Sequence, residues 1–136
     1  MDKKTKFVKF CLWVGIILDG STVFLYLFPN LMLNSMGLPK DALSPVAIYL
    51  LFHAGIFMLA WTLLLIWTLQ KPIQRRFIFI LTVLVVVGLE ASAIYLMTVE
   101  SIDKAGVIPL LVLPAIAGSL FTAGYFVTGS IKKKQG

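Results

Sequence analysis

Residues 77–99 read FIFILTVLVVVGLEASAIYLMTV, and this stretch decides the fold class. It contains one charged side chain, Glu90. As a helix with a rise of about 1.5 Å per residue it would be about 35 Å long, which is enough to cross a hydrocarbon core of about 30 Å. A helix is expected because lipid offers no partners to open backbone N–H and C=O groups. The stretch therefore predicts a transmembrane helix.

Three further apolar stretches surround this one. We predict that they span the membrane at about residues 7–28, 45–69 and 106–131. The whole chain is 60% hydrophobic and 13% charged, whereas about a quarter of the residues in a soluble domain are charged. This composition argues against a soluble globular domain and against a disordered chain. The predicted fold is an all-α integral membrane bundle of four transmembrane helices, in a single membrane domain over residues 1–136.

The basic residues predict the orientation of the spans. All but two of the 12 Lys and Arg residues fall in the N-terminal segment, the loop after the second span or the C-terminal segment. The exceptions are Lys40 and Lys104. Because Lys and Arg accumulate on the cytoplasmic side, we predict that both termini are cytoplasmic. The expected partners are the lipid bilayer and a membrane protein or a second copy of the chain, and nucleic acid is not expected.

The segment between the first two spans has a different character. Residues 30–44 read NLMLNSMGLPKDALS, which is apolar but too short to cross a bilayer. We expect a short amphipathic turn or helix along the outer interface. The outer loop at 100–105 is expected to be tight and polar.

Three ionisable side chains lie within the predicted spans: Asp19, His53 and Glu90. Counted from the outer ends of their helices, all three lie about 12–14 Å deep. A charged group at the bilayer centre costs about 3 kcal/mol or more, so such groups usually face the protein interior and often carry function. The shared depth predicts that the three side chains can converge.

Polar and small residues extend this candidate site. Thr22 and Tyr26 follow Asp19 at helical spacing, and Tyr49 precedes His53 by one turn. In the last span a stripe of small and hydroxyl-bearing residues also follows helical spacing, comprising Ala115, Gly118, Thr122 and Tyr125. Small residues let membrane helices approach closely, and hydroxyl groups form hydrogen bonds between helices.

Several kinds of chemistry suit two carboxyl groups and one imidazole. They can share protons, pair with an organic cation beside aromatic rings, or hold a divalent metal. Asp19, His53 and Glu90 are the candidate metal ligands, but no HxxH or ExxH spacing supports a metal, so neither metal nor cofactor is predicted. The structural alternative is a buried Asp19–His53 hydrogen bond, with Glu90 bound to a hydroxyl group, that holds the helices in register.

The middle of the chain contains a set of motifs that resembles those of a known protein family. An apolar loop begins at Pro29 and ends in Met36-Gly37-Leu38-Pro39, His53 and Gly55 lie early in the second span, and the inner turn reads KPIQRR over residues 71–76. From Phe28 to Met97 the chain resembles the DoxX-like group of small four-helix bacterial membrane proteins. The resemblance implies an inner-membrane protein, in some cases tied to respiratory or redox complexes, without a defined reaction.

The sequence lacks recognisable catalytic signatures such as GxSxG and phosphate-binding loops. We therefore predict a non-catalytic accessory or partner-binding bundle. The alternative is a ligand-binding or proton-coupled transport protein, in which Asp19 holds the cation or proton, His53 orients or relays it, and Glu90 is the second carboxyl group. A second alternative is a membrane enzyme that acts on a lipid-soluble substrate by acid–base chemistry at the same carboxyl groups.

Overall fold

The computed structural model describes residues 3–35, 39, 43–99 and 104–135. Its regular elements are five helices, namely α1 (Lys3–Leu27), α2 (Pro29–Ser35), α3 (Pro45–Gln70), α4 (Phe77–Val99) and α5 (Lys104–Gln135). Four of them contain segments that are long and apolar enough to cross a membrane, at Lys3–Leu27, Pro45–Gln70, Phe77–Tyr95 and Leu111–Ile131. These segments confirm the predicted set of four apolar helices, which is compatible with a membrane helix bundle.

The helix ends follow from local chemistry. The Ser44 hydroxyl accepts a hydrogen bond from the Ala47 backbone N–H at 3.2 Å, and Pro45 occupies the first position of α3. Both features favour a helix start, because the hydroxyl satisfies a free N–H group and proline has none to satisfy. The first and last helices, α1 and α5, continue beyond the predicted apolar spans into their lysine-rich ends, since lysine is a good helix former.

The segment after the first span begins as a helix. α2 covers Pro29–Ser35, and its Leu33 side chain is buried. This confirms a short helix at the start of the 30–44 segment, whereas residues 36–38 and 40–42 lie outside the described residues. The predicted polar loop at 100–105 also lies mostly outside them, since the description resumes at residue 104.

The chain divides into two compact units, so the single membrane domain stays a prediction. One unit comprises residues 13–67, with most of α1, all of α2 and most of α3. Within it, α1 and α3 approach closely at Gly55. A Cβ atom there would lie 3.1 Å from Leu27 Cδ2 and 3.2 Å from Tyr26 Cβ. The missing side chain of Gly55 therefore allows this helix contact.

The other unit combines the beginning of α1 with α4 and α5, and we call it the α4–α5 unit. At its centre the Phe79 ring lies 5.5 Å from the Phe121 ring, and both side chains are almost fully buried. Gly124 makes room for Phe79, because a Cβ atom at position 124 would lie 2.6 Å from Phe79 Cε1. The same Cβ atom would lie 3.7 Å from Cys11 Cβ, so α1 also reaches this packing centre.

Basic side chains from two distant segments lie close to the later part of α5. The Arg76 guanidinium carbon is 4.6 Å from the centre of the Tyr125 ring. The Lys4 ammonium donates a hydrogen bond to the Ser130 hydroxyl at 3.2 Å. The start of α1 and the turn before α4 therefore both contact the same part of α5, as they should if these segments lie on one side of a membrane.

Candidate functional site

Asp19, Thr22 and Tyr26 lie on α1 in the unit formed by residues 13–67. All three are partly buried. The Thr22 hydroxyl donates to the Leu18 carbonyl at 3.0 Å, so its proton is used within its own helix. Tyr26 packs beside Gly55 through its Cβ atom. The Thr22 hydroxyl is therefore occupied within its own helix, and Tyr26 contributes to the contact between α1 and α3.

His53 and Tyr49 form an exposed pair on α3. Their ring centres are 4.1 Å apart, and the side chain of Tyr49 is 60% exposed. His53 Nδ1 lies 2.9 Å from the Tyr49 carbonyl oxygen. Because a carbonyl oxygen can only accept a hydrogen bond, Nδ1 carries the proton. The second ring nitrogen, Nε2, then has no hydrogen-bond partner among the described residues.

The structural alternative of a buried Asp19–His53 pair is wrong. His53 is exposed, and its hydrogen bond goes to the backbone of its own helix. No hydrogen bond joins the two side chains in the part of the chain that the structure describes. The tilted ring contact with Tyr49 and the backbone hydrogen bond together hold the orientation of the imidazole.

Glu90 lies in the α4–α5 unit, at an open groove of about 570 Å³ between the two helices. We call this feature the α4–α5 groove. On α4 it is lined by Val83, Val86, Val87 and Glu90. On α5 it is lined by mostly small side chains, at Ala115, Gly118, Ser119, Thr122, Ala123 and Phe126. Glu90 is the only charged residue among these, so the groove is an apolar surface with a single carboxyl group.

The small residues of α5 explain the groove. The backbone of α5 approaches α4 at Gly118, where a Cβ atom would lie 3.0 Å from Val86 Cγ1. The neighbouring side chains at Ala115, Ser119 and Ala123 are too short to fill the space beside that contact. Small residues at such an opening are a common basis of close helix association in membranes.

The hydroxyl groups in the groove form hydrogen bonds within their own helix. Ser119 donates to the Ala115 carbonyl and Thr122 donates to the Gly118 carbonyl, each at 2.8 Å. Their protons are therefore not offered to Glu90, which has no hydrogen-bond partner among the described side chains. This leaves the predicted bond between Glu90 and a hydroxyl group without support.

The predicted meeting of the three ionisable groups stays a prediction. Asp19 and His53 belong to the unit formed by residues 13–67, whereas Glu90 belongs to the α4–α5 unit. Within the described residues, no group of three or more His, Cys, Asp or Glu side chains is placed to hold a metal ion.

The α4–α5 groove itself was not predicted from the sequence. The small stripe of α5 at Ala115, Gly118 and Thr122 was visible at helical spacing, and these residues do line the groove. The pairing of this stripe with the valines and Glu90 of α4 depends on how the two helices pack. Comparison of the chain with known protein families, with curated proteins and with solved structures gives no match.

Proposed function

We propose that this protein is a non-catalytic partner-binding protein of the cell inner membrane. In this proposal both termini are cytoplasmic, and the α4–α5 groove receives a transmembrane helix of a partner. The distribution of Lys and Arg supports the orientation. The DoxX-like resemblance points the same way, because it implies an inner-membrane protein that in some cases accompanies a larger complex.

The observation that carries the proposal is the unpartnered carboxyl group in an apolar groove. Glu90 lies nine residues before the end of α4, deep in the span, where an unpaired charge costs about 3 kcal/mol or more. A partner helix that brings a cation or another hydrogen-bond donor to this depth would remove much of that cost. The short side chains of α5 would let the backbone of such a helix come close.

Site-specific photocrosslinking in native membranes tests the proposal. A photoreactive amino acid at Ser119, inside the groove, should yield an adduct with a membrane protein. The matched control is Leu84 on α4, which is 70% exposed but does not line the groove, and it should capture mainly lipid.

Ala123→Phe should fill the groove and lower the yield at Ser119 about tenfold, equivalent to about 1.4 kcal/mol of binding free energy. Ala91→Phe, at an exposed position outside the groove, should leave the yield unchanged.

The same experiment distinguishes this proposal from a second candidate function, in which the protein binds a small molecule. The groove volume of about 570 Å³ lies within the usual range of about 300–1,000 Å³ for ligand pockets. An adduct at Ser119 with a small molecule, and none with a protein, would favour this candidate. Equal protein yields at Ser119 and Leu84 would overturn the docking proposal.

A further inference from the structure

We propose that the partner helix is α3 of a second copy of this chain, and that His53 of that copy forms a hydrogen bond with Glu90 in the α4–α5 groove. This inference rests on the proposed function and names its partner. The two residues have complementary chemistry, because an imidazole and a carboxyl group can share one proton. Both are also located where a second copy can reach them, one on an exposed helix face and one in an open groove.

The two residues lie at matching distances from the ends of their helices. His53 lies eight residues after Pro45, the start of α3, and Glu90 lies nine residues before Val99, the end of α4. With a rise of about 1.5 Å per residue, the two side chains lie about 12 Å and 14 Å from the same side. Two copies inserted in the same direction are related by an axis along the membrane normal, which preserves depth. A residue can therefore meet only a residue of similar depth, and this pair satisfies the condition.

The hydrogen-bonding state of His53 suits the contact. Nδ1 donates to the Tyr49 carbonyl, and the ring contacts the Tyr49 ring at a tilt of 44°. Nε2 is consequently the atom available to a second copy. A neutral imidazole accepts the proton of a protonated Glu90 at Nε2, and a charged imidazole donates there to the carboxylate. In either state the same two atoms share one proton, and no unpaired charge remains in the lipid.

The surroundings of His53 complement the shape of the groove. The exposed face of α3 around it carries bulky apolar side chains, including Ile56 and Phe57, the latter 74% exposed. The α5 wall of the groove presents mainly small residues, among them Ala115 and Ser119. A ridge of large side chains against a wall of small ones is the arrangement that permits close packing of membrane helices.

Disulfide crosslinking between two differently tagged chains tests the pairing. Both chains carry Cys11→Ala, which removes the single native cysteine. One chain also carries His53→Cys and the other Glu90→Cys. When they are co-expressed in membranes and oxidised, we expect a disulfide-linked dimer that contains both tags, since a disulfide requires Cα atoms within about 7 Å. The matched controls are Phe52→Cys and Leu89→Cys, which are exposed neighbours on the same two helices and should form no such dimer.

The possible results separate this inference from the proposed function. A doubly tagged dimer for the 53–90 pair but not for the control pair supports the second copy. If no such dimer forms while Ser119 still captures a different membrane protein, the second copy is excluded and the proposed function stands. A disulfide within one chain carrying both cysteines, without any between chains, also overturns the inference. If no doubly tagged dimer forms and Ser119 captures no membrane protein, both proposals are overturned.

Association measured by energy transfer between labelled chains in lipid vesicles provides an independent readout. Glu90→Met, which keeps the side-chain length but removes the hydrogen bond, should weaken self-association about 3-fold to 30-fold. Glu90→Gln should weaken it less, because the amide can still donate to Nε2 of a neutral His53. Unchanged self-association in Glu90→Met would overturn the inference.

Discussion

The two ends of the α4–α5 pair are both largely apolar but pack in opposite ways. At the closed end, the beginning of α4 meets the later part of α5, and Phe79 and Phe121 are 0% and 1% exposed. At the open end, around Glu90, the helices leave the α4–α5 groove, and the neighbouring Val87 is 56% exposed. Apolar character therefore does not decide which surfaces meet inside a membrane, because lipid is as apolar as the side chains.

Small residues have opposite effects at the two ends. At the closed end Gly124 admits the Phe79 ring, so the space that a missing side chain leaves is filled. At the open end, near Glu90, Ala115 and Ser119 receive no such ring, and the space remains open. A small residue therefore predicts close packing only when a large side chain from a neighbouring helix is positioned to enter the space.

The largest effect is expected at Gly124. In Gly124→Ala the new Cβ atom would lie 2.6 Å and 2.9 Å from two carbons of the Phe79 ring, which is fully buried and cannot move without displacing its neighbours. We expect a loss of about 1–3 kcal/mol in the free energy of unfolding, as for other overpacked sites. Unfolding of the protein in mixed detergent micelles, followed by circular dichroism, measures it.

Gly88→Ala is the matched control for this substitution. A Cβ atom at Gly88 meets nothing within 4 Å, so the better helix propensity of alanine should leave stability unchanged or raise it by up to about 1 kcal/mol. Equal effects of the two substitutions would show that Gly124 is not a tight contact and would break the distinction between the two ends.

A smaller effect is expected from the cation–π contact at the closed end. Tyr125→Leu removes the ring that lies 4.6 Å from the Arg76 guanidinium carbon. This should lower the free energy of unfolding by about 0.5–1 kcal/mol. Tyr125→Phe keeps the ring face and should retain most of the stability. If Tyr125→Phe lost as much as Tyr125→Leu, the hydroxyl group rather than the ring would be the stabilising element.

The smallest effect is expected at the open end. Ala115→Leu adds a larger side chain to an exposed position that lines the α4–α5 groove, so nothing has to move to accommodate it. The free energy of unfolding of the isolated protein in micelles should change by less than about 0.5 kcal/mol. A loss above about 1 kcal/mol would mean that the groove is closed by packing within the chain.

The sequence predicted where the helices begin and end better than which side of each helix is exposed. The start of α3 at Pro45 and both ends of α4, Phe77 and Val99, agree with the predicted spans. The exposed position of His53 was not predictable, because α3 is apolar all round and its sequence has no periodic pattern that separates a lipid-facing side from a protein-facing one. Glu90 could be assigned to a depth from its position in the helix, but not to a groove, since that depends on the side chains that α5 places opposite.

The contact between Lys4 and Ser130 joins residues 126 positions apart in the chain, and Cys11 lies near Gly124 in the same unit. Along this chain α1 is synthesised before α5. The early part of α1 therefore cannot make its contacts with α5 until the ribosome has completed α5. The α4–α5 unit consequently reaches its final packing only after α5 has been synthesised.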